Sequence, residues 1–390
     1  MKPWNNWLGK ARLKNGPPHS TCRLEYPLAM PRGLFHISRM KFAGKPLLFT
    51  LIAGVFFPTT ADAWDYNGHR MVNQIALASL PADFPAFVKE PAAAERIAFL
   101  SGEADRWRNT PDLPLKHCSS PDHYLDFEQI KFAGMTSKDI PALRYDFVTR
   151  FAAGRAKHPS LFPQIDPAKN ADHTAEWPGF VPWAIAEYYG KLKSGFSYLK
   201  TYEELGTPEE IANAKANIIY IMGVMGHFVG DSSQPLHITV HHNGWVGPNP
   251  NDYTRWSGFH AWIDGGFIEK SGIVLDEILP EVKPAAPWKL PATPDGRDPI
   301  FSAVIGYVES QHGFVEPIYA LEKKGAFRAE NAERSKEGRD FIKKQLLTGG
   351  RTLAEIWLTA YTQAGPDSYL RNVLETRRKL EEEAKKKATS

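Results

Sequence analysis

The sequence predicts an all-α protein, a single-domain helical bundle, on three observations. Apolar residues recur at helical spacing along several stretches, the stretches between them are polar and contain proline, and no alternating apolar–polar run is long enough to found a sheet. In chain order, helices are expected at Gly68 to Leu80, Ala93 to Trp107 and Trp183 to Leu199. The clearest begins at Thr207-Pro-Glu-Glu210, where Thr207 supplies a capping oxygen, Pro208 suits the first helical position and Glu210 completes a capping box. It runs through Ile211, Ala214, Ile218, Ile221, Met222 and Met225 to about Val229, and its second half is apolar nearly all round, as in a helix buried among others. Ile300 to Leu321 and Arg351 to Thr362 follow; in the latter Leu353, Ile356, Trp357, Ala360 and Tyr361 share one face. Lys157 to Pro178 and Pro280 to Pro299 read as surface loops, and the charge run Arg377 to Lys387 as a solvated terminal helix.

The 390 residues suffice for one large or two ordinary domains, and 43% hydrophobic with 23% charged residues excludes disordered, collagen-like and multi-span membrane classes. Residues 1–63 read as presequence and signal peptide, with Met40 as the true start. Arg39 to Lys45 forms a positive region, Leu47 to Phe57 an apolar run of 11 residues, and Ala61-Asp62-Ala63 a small-x-small cleavage site. The apolar run is well short of the ~20 residues that cross a bilayer, so export, periplasmic or secreted, is expected rather than a membrane anchor. Cleavage between Ala63 and Trp64 would put Trp64 first. It would leave Cys118 as the sole thiol, excluding an internal disulfide, and 38 basic against 42 acidic residues. A broad basic nucleic-acid face is therefore not expected. Residues 64–372 are expected to form the catalytic domain, and 373–390 a charged tail.

Imidazoles and carboxylates carry the chemistry. His227-x3-Asp231 closes the apolar helix, and a spacing of four places both side chains on one face, as two ligands of one ion require. Pro235 then stops the helix and His237 follows. His260-x3-Asp264 repeats the spacing, while His69, Asp105 and His123 stand upstream. A charge ending an otherwise apolar helix is costly unless something neutralises it, and a buried cation would. Nitrogen and carboxylate donors without thiolate suit zinc in an exported protein and also admit manganese or iron.

With these residues the chain resembles the zinc-dependent single-strand nucleases of fungi and plants and their bacterial relatives, which share a fold with bacterial zinc phospholipase C. The likeness rests on Trp64-x4-His69, Ala104-Asp105-x2-Arg108, His123-Tyr-Leu-Asp126, His227-x3-Asp231-x2-Gln234-Pro-Leu-His237 and His260-x3-Asp264, in the family's order. The resemblance implies three zinc ions: one on Asp105, His123, His227 and Asp231; a second on the Trp64 amine and carbonyl, His69 and the shared Asp231; a third on His237, His260 and Asp264. An α-amino group, with a pKa near ~8, yields its proton to a metal readily and closes a chelate with its own carbonyl.

The activity so implied is endonucleolytic hydrolysis of single-stranded DNA and RNA to 5′-phosphate products, with 3′-nucleotidase activity. Asp126 would orient or deprotonate water, Arg108 would neutralise phosphate charge and Tyr124 would face the base. Their plainer alternatives are a hydrogen-bond partner of a ligand histidine for Asp126, core packing for Tyr124 and a surface ion pair for Arg108. Between His237 and His260 the loop is longer and richer in Trp and Pro than the family's. Asn243 and Trp245 would either contact the base or shape this loop, and His241 and His242 are expected to be exposed. A phospholipase C is disfavoured by the short Trp64 to His69 spacing and by Asp264 where that branch carries Glu. A non-catalytic metal-binding module would need no oriented carboxylate. No protein partner is implied.

Overall fold

The computed structural model describes residues 64–389; the expected leader, its cleavage site and Met40 lie outside the described residues. Among residues 64–389 there is no β-strand, and the all-α expectation holds. No helix among them is long and apolar enough to cross a membrane.

Helix α1 (Tyr66–Ser79) starts where the Asp65 carboxylate accepts hydrogen bonds from the backbone N–H groups of Asn67 and Gly68, and it buries Met71, Val72, Ile75 and Ala76. The helix expected over 93–107 is two, α2 (Pro91–Leu100) and α3 (Glu103–Arg108), broken at Ser101 and Gly102. Gly102 lies under the Tyr66 ring, where a Cβ would stand only 2.8 Å from a ring carbon, and the break releases the Ser101 carbonyl to accept from His227 Nδ1. Short helices α4 (Leu113–Ser119), α5 (Phe127–Phe132) and α6 (Arg144–Lys157) were not legible in the sequence. Helix α4 buries no residue at all, so no apolar period marks it.

Two long helices form the frame. Helix α7 (Val181–Leu205) packs along α8 (Pro208–Ser233), which starts at the expected Thr207–Glu210 capping box. Helix α8 extends past Val229 to Ser233, because the residues after Val229 are fully buried and supported on every side. The stretch expected as one helix over 300–321 is α9 (Pro299–His312) followed by α10 (Val315–Lys323), interrupted at Gly313 and Phe314. The segment 351–362 is the second half of α11 (Lys336–Gln363), which packs on α1, α7 and α8. The final helix α12 (Ser368–Thr389) encloses the charge run. It touches the body through buried Leu374 and through Arg377, which grips Glu210 with two hydrogen bonds of 2.8 and 3.0 Å. The 157–178 and 280–299 stretches are largely irregular, as expected.

Close approach of α1 to α8 positions the site. At Gly226 an added Cβ would fall 1.6 Å from Asn73 Oδ1, so the two backbones meet with only the Asn73 amide between them. That amide donates to the carbonyls of Ile97 (2.8 Å) and Gly223 (3.0 Å), tying α1, α2 and α8 at one point. The neighbouring turns therefore bring His69 of α1 against His227 and Asp231 of α8.

Candidate metal centre

The last turns of α8 carry His227 and Asp231 inward, both fully buried. Asp231 divides its oxygens: Oδ1 lies 3.2 Å from His69 Nε2, while Oδ2 lies 3.0 Å from His123 Nδ1 and 3.3 Å from His227 Nε2. Asp105 Oδ1, from α3, stands 3.7 Å from His227 Nε2 and 3.9 Å from His123 Nδ1. The His123 and His227 nitrogens are themselves 2.9 Å apart. Tetrahedral zinc with bonds of about 2.0–2.1 Å requires ligand atoms about 3.3 Å apart, and these separations bracket that value.

A second group gathers after the end of α8. His237 sits in the short turn Pro235–Ile238, and its Nε2 lies 2.9 Å from His260 Nε2, which is 3.0 Å from Asp264 Oδ2. The sequence spacing of four between His260 and Asp264 suggests an α-helix. Instead the chain leaves α-helical geometry after Ala261 and forms a π-turn over Trp262–Gly266, a distortion common at functional sites. Trp262 Nε1 is anchored on the Phe327 carbonyl at 2.7 Å. Gly265 lets the turn press against the N-terminal cap of α1, since a Cβ there would lie 2.5 Å from Asp65 Oδ2.

Both groups are oriented by backbone carbonyls. His227 Nδ1 donates to Ser101 O at 2.6 Å and His237 Nδ1 to His123 O at 2.9 Å, so each presents Nε2 to its group. The Gln234 amide donates to Asp264 Oδ1 at 2.5 Å. Burial pushes His123 down to about 3 and His237 to about 4; it also pushes His260 to about 3, with the charges of His242 and Arg108 adding to the effect. Arg108 acts on His123 in the same direction. These imidazoles are therefore neutral at pH 7, the form in which nitrogen binds a cation. Burial lifts Asp264 to about 8, whereas Asp231 stays well below the carboxylate range because the charge of His227, whose own pKa is raised, and hydrogen bonds from His123 and His227 outweigh its burial.

Several buried atoms here have no hydrogen-bond partner: Asp264 Oδ2, Asp231 Oδ1, His123 Nε2 and both nitrogens of His69. Orphaned buried polar atoms are expensive, and when they converge with neutral imidazoles and carboxylates the donor set fits divalent metal ions. Three combinations bring their ligand atoms within 4.8 Å of one another: His69, Asp105 and His227; His123, His227 and Asp231; and His237, His260 and Asp264. Every side chain expected as a ligand falls in one of them. Trp64 is fully buried against the same turn of α8, its indole N–H donating to Gly230 O at 2.9 Å, and the Asp65 N–H donates to Asp264 O at 3.1 Å.

Around the groups, Arg108 places Nε 2.9 Å from Asp105 Oδ1, one turn along α3, and its charge reaches His123, His260 and Asp264. Its charge thus acts on members of both ligand clusters. Asp126 is buried, and its Oδ2 accepts from Gln129 Nε2 at 2.7 Å; burial raises it to about 6 against the opposing charge of His242. The groups holding His227 and His237 are carbonyls, so Asp126 is not their hydrogen-bond partner. Tyr124 is half-buried. Its backbone carbonyl receives Val181 N–H at 3.2 Å, and Gly179, with φ of 99°, passes so close that any Cβ would strike that carbonyl.

In the long loop, Asn243 is exposed, while Trp245 stacks on His241 (3.9 Å, 5° between planes) and packs near Tyr253 and Tyr319. His241 and His242, expected to be exposed, are half-buried because the loop folds back over α10 and the second group. His242 is the residue the sequence reading undervalued: its Nδ1 donates to Thr239 O at 3.2 Å and its ring lies 6.0 Å from His260, on the side of Asp126. Only its place in the run His241-His242, four residues past His237, hinted at this. Comparison with protein-family models and with curated proteins returned no match, so the functional reading rests on these residues and their geometry.

Proposed function

We propose that the protein is a zinc-dependent phosphodiesterase that cuts single-stranded DNA and RNA to 5′-phosphate products and removes 3′-phosphate from nucleotides. The carrying observation is the convergence of eight histidine and aspartate side chains into adjoining buried groups, with Asp231 turning one oxygen to each side. Three ions are the count this donor set suits. His69, Asp105, His123, His227 and Asp231, with the Trp64 terminus after processing, would hold two, and His237, His260 and Asp264 the third. Bound zinc lowers the pKa of water and stabilises charge on phosphoryl and departing oxygens.

The remaining residues supply position and proton handling. Asp126 Oδ2 is fixed by Gln129, which leaves Oδ1 to accept a proton from an attacking water. Arg108, already aligned by Asp105, offers its guanidinium to a phosphate. Tyr124 and the Asn243–Trp245 loop border the position of a base. An unpaired base can stack on an aromatic ring and a base inside a duplex cannot, which gives single-strand preference without sequence reading.

The deciding experiment joins metal analysis of the chain beginning at Trp64 with assays on single-stranded DNA, duplex DNA, a 3′-mononucleotide and phosphatidylcholine. Asp126→Asn is expected to lower nucleic-acid hydrolysis by about 10²–10⁴-fold at unchanged zinc content. Retained activity in that variant, or cleavage of the lipid alone, refutes the reading.

A further inference from the structure

On α1, which holds His69, and on the neighbouring α2, two aromatic rings remain exposed where burial would be usual. Tyr66 and Phe99, each 38% exposed, meet edge to face with centroids 6.5 Å apart. Three guanidinium groups lie over them. Arg106 stands 4.7 Å from the Phe99 centroid and 5.7 Å from that of Tyr66, Arg70 stands 5.5 Å from Tyr66, and Arg96 stands 5.6 Å from Phe99. Tyr220 of α8, also exposed, lies within the field of Arg96 and Glu103. Glu95 pairs with Arg70 at 2.8 and 3.0 Å and Glu103 with Arg106 at 2.6 Å, so three cations face two carboxylates in a described chain that is acidic overall.

This surface shares helices α1 and α3 with the candidate metal centre. Arg106 is the residue after Asp105 and lies between it and Arg108, while Tyr66 and Arg70 flank His69 on α1. Flat π surfaces interleaved with guanidinium groups bind unpaired nucleotides: bases stack on ring and guanidinium planes, and phosphates replace carboxylates as partners of arginine. Duplex DNA offers no free base faces to such a surface.

We propose that this arginine–aromatic surface binds the nucleotides of a single-stranded substrate that lie beyond the scissile phosphodiester. The inference rests on the nuclease reading for its direction, since the strand must run on from the metal centre, but its test does not depend on turnover. The probe is a fluorescein-labelled dT12 with phosphorothioate linkages, followed by anisotropy at several salt concentrations with the metal-loaded protein. Arg96→Glu combined with Phe99→Ala is expected to weaken dT12 binding about tenfold or more and to reduce the steepness of its salt dependence. Binding of the dinucleotide dTpdT, which is too short to reach, should be far less affected. Circular dichroism verifies folding, and the single exposed-site variant Arg96→Glu serves if the double variant is unstable. Unchanged dT12 affinity and salt slope, or equal losses for dT12 and dTpdT, overturn the proposal. Variant-sensitive dT12 binding in a protein that hydrolyses no nucleic acid refutes the catalytic reading alone; full hydrolysis with variant-insensitive binding refutes this one alone.

Discussion

Asp126 and His242 form the most informative pair of single residues. Burial raises the Asp126 carboxyl to about 6, and the neighbouring His242 charge works against that rise. A carboxylate that accepts a proton is active only when ionised, so activity is expected to fall as pH drops through about 6. Removing His242 deletes a favourable positive neighbour. His242→Ala should therefore move the acid limb of the kcat/KM profile to higher pH, and a limb that stays in place would show that His242 does not act on Asp126. Asp264 makes a different statement. With burial holding it near 8, it keeps its proton at pH 7 until a cation displaces it. Zinc uptake at pH 7 is expected to release protons, measurable as a dependence of calorimetric heat on buffer ionisation enthalpy, and Asp264→Asn should reduce that release.

At the scale of elements, the approach of α1 to α8 is the contact on which the first ligand group depends. Gly226→Ala forces a methyl group onto the Asn73 amide and should cost about 1–3 kcal/mol or more, read from denaturant unfolding. It should also weaken metal binding, because His69 and Asp231 sit on the two helices pushed apart. A second joint fastens the loop that follows His237. Glu128 of α5 accepts from Thr239 Oγ1 (2.8 Å), the Val240 N–H (3.0 Å) and His312 Nε2 (2.9 Å) at the end of α9. Burial pushes this carboxyl up, but those donors outweigh it and hold it at about 2, below its ordinary 4.5. A depressed carboxyl stabilises the fold fully above pH 4.5, and that contribution is lost as pH falls from 4.5 toward 2. His312→Ala weakens the hold on the carboxylate, so acid unfolding is expected to begin at a higher pH; an unchanged acid transition would refute the role.

For the whole molecule, metal and fold should be one equilibrium. Ions that bind only the native arrangement stabilise it by RT ln(1 + [L]/Kd), about 2.7 kcal/mol at a hundredfold excess over Kd. A chelator should lower Tm and abolish hydrolysis together, and re-addition of zinc should restore both. Trp64 ties its own position to this equilibrium through the hydrogen bond of its indole to Gly230, next to Asp231. A form retaining one residue ahead of Trp64 is expected to bind less zinc and to lose most activity. Equal zinc content and activity in the two forms would remove the terminal amine from the ligand set.

Much of this protein could be read along the chain, and the reason is local. Capping at Thr207, the apolar period of α8 and the four-residue spacing of His227 and Asp231 are properties of consecutive residues, so backbone geometry makes them visible in one dimension. The pairing of His227 with Asp231 was legible for the same reason, since residues four apart share a helix face. Tertiary contact decided the rest. The break at Gly102 exists because Tyr66 lies on it, the π-turn at Asp264 forms where Trp262 is anchored on Phe327 and Gly265 meets Asp65, and His242 reaches the site because its loop folds back over α10. Each depends on partners more than thirty residues away, and the energy that selects among backbone paths there comes from long-range packing that no stretch of sequence contains by itself.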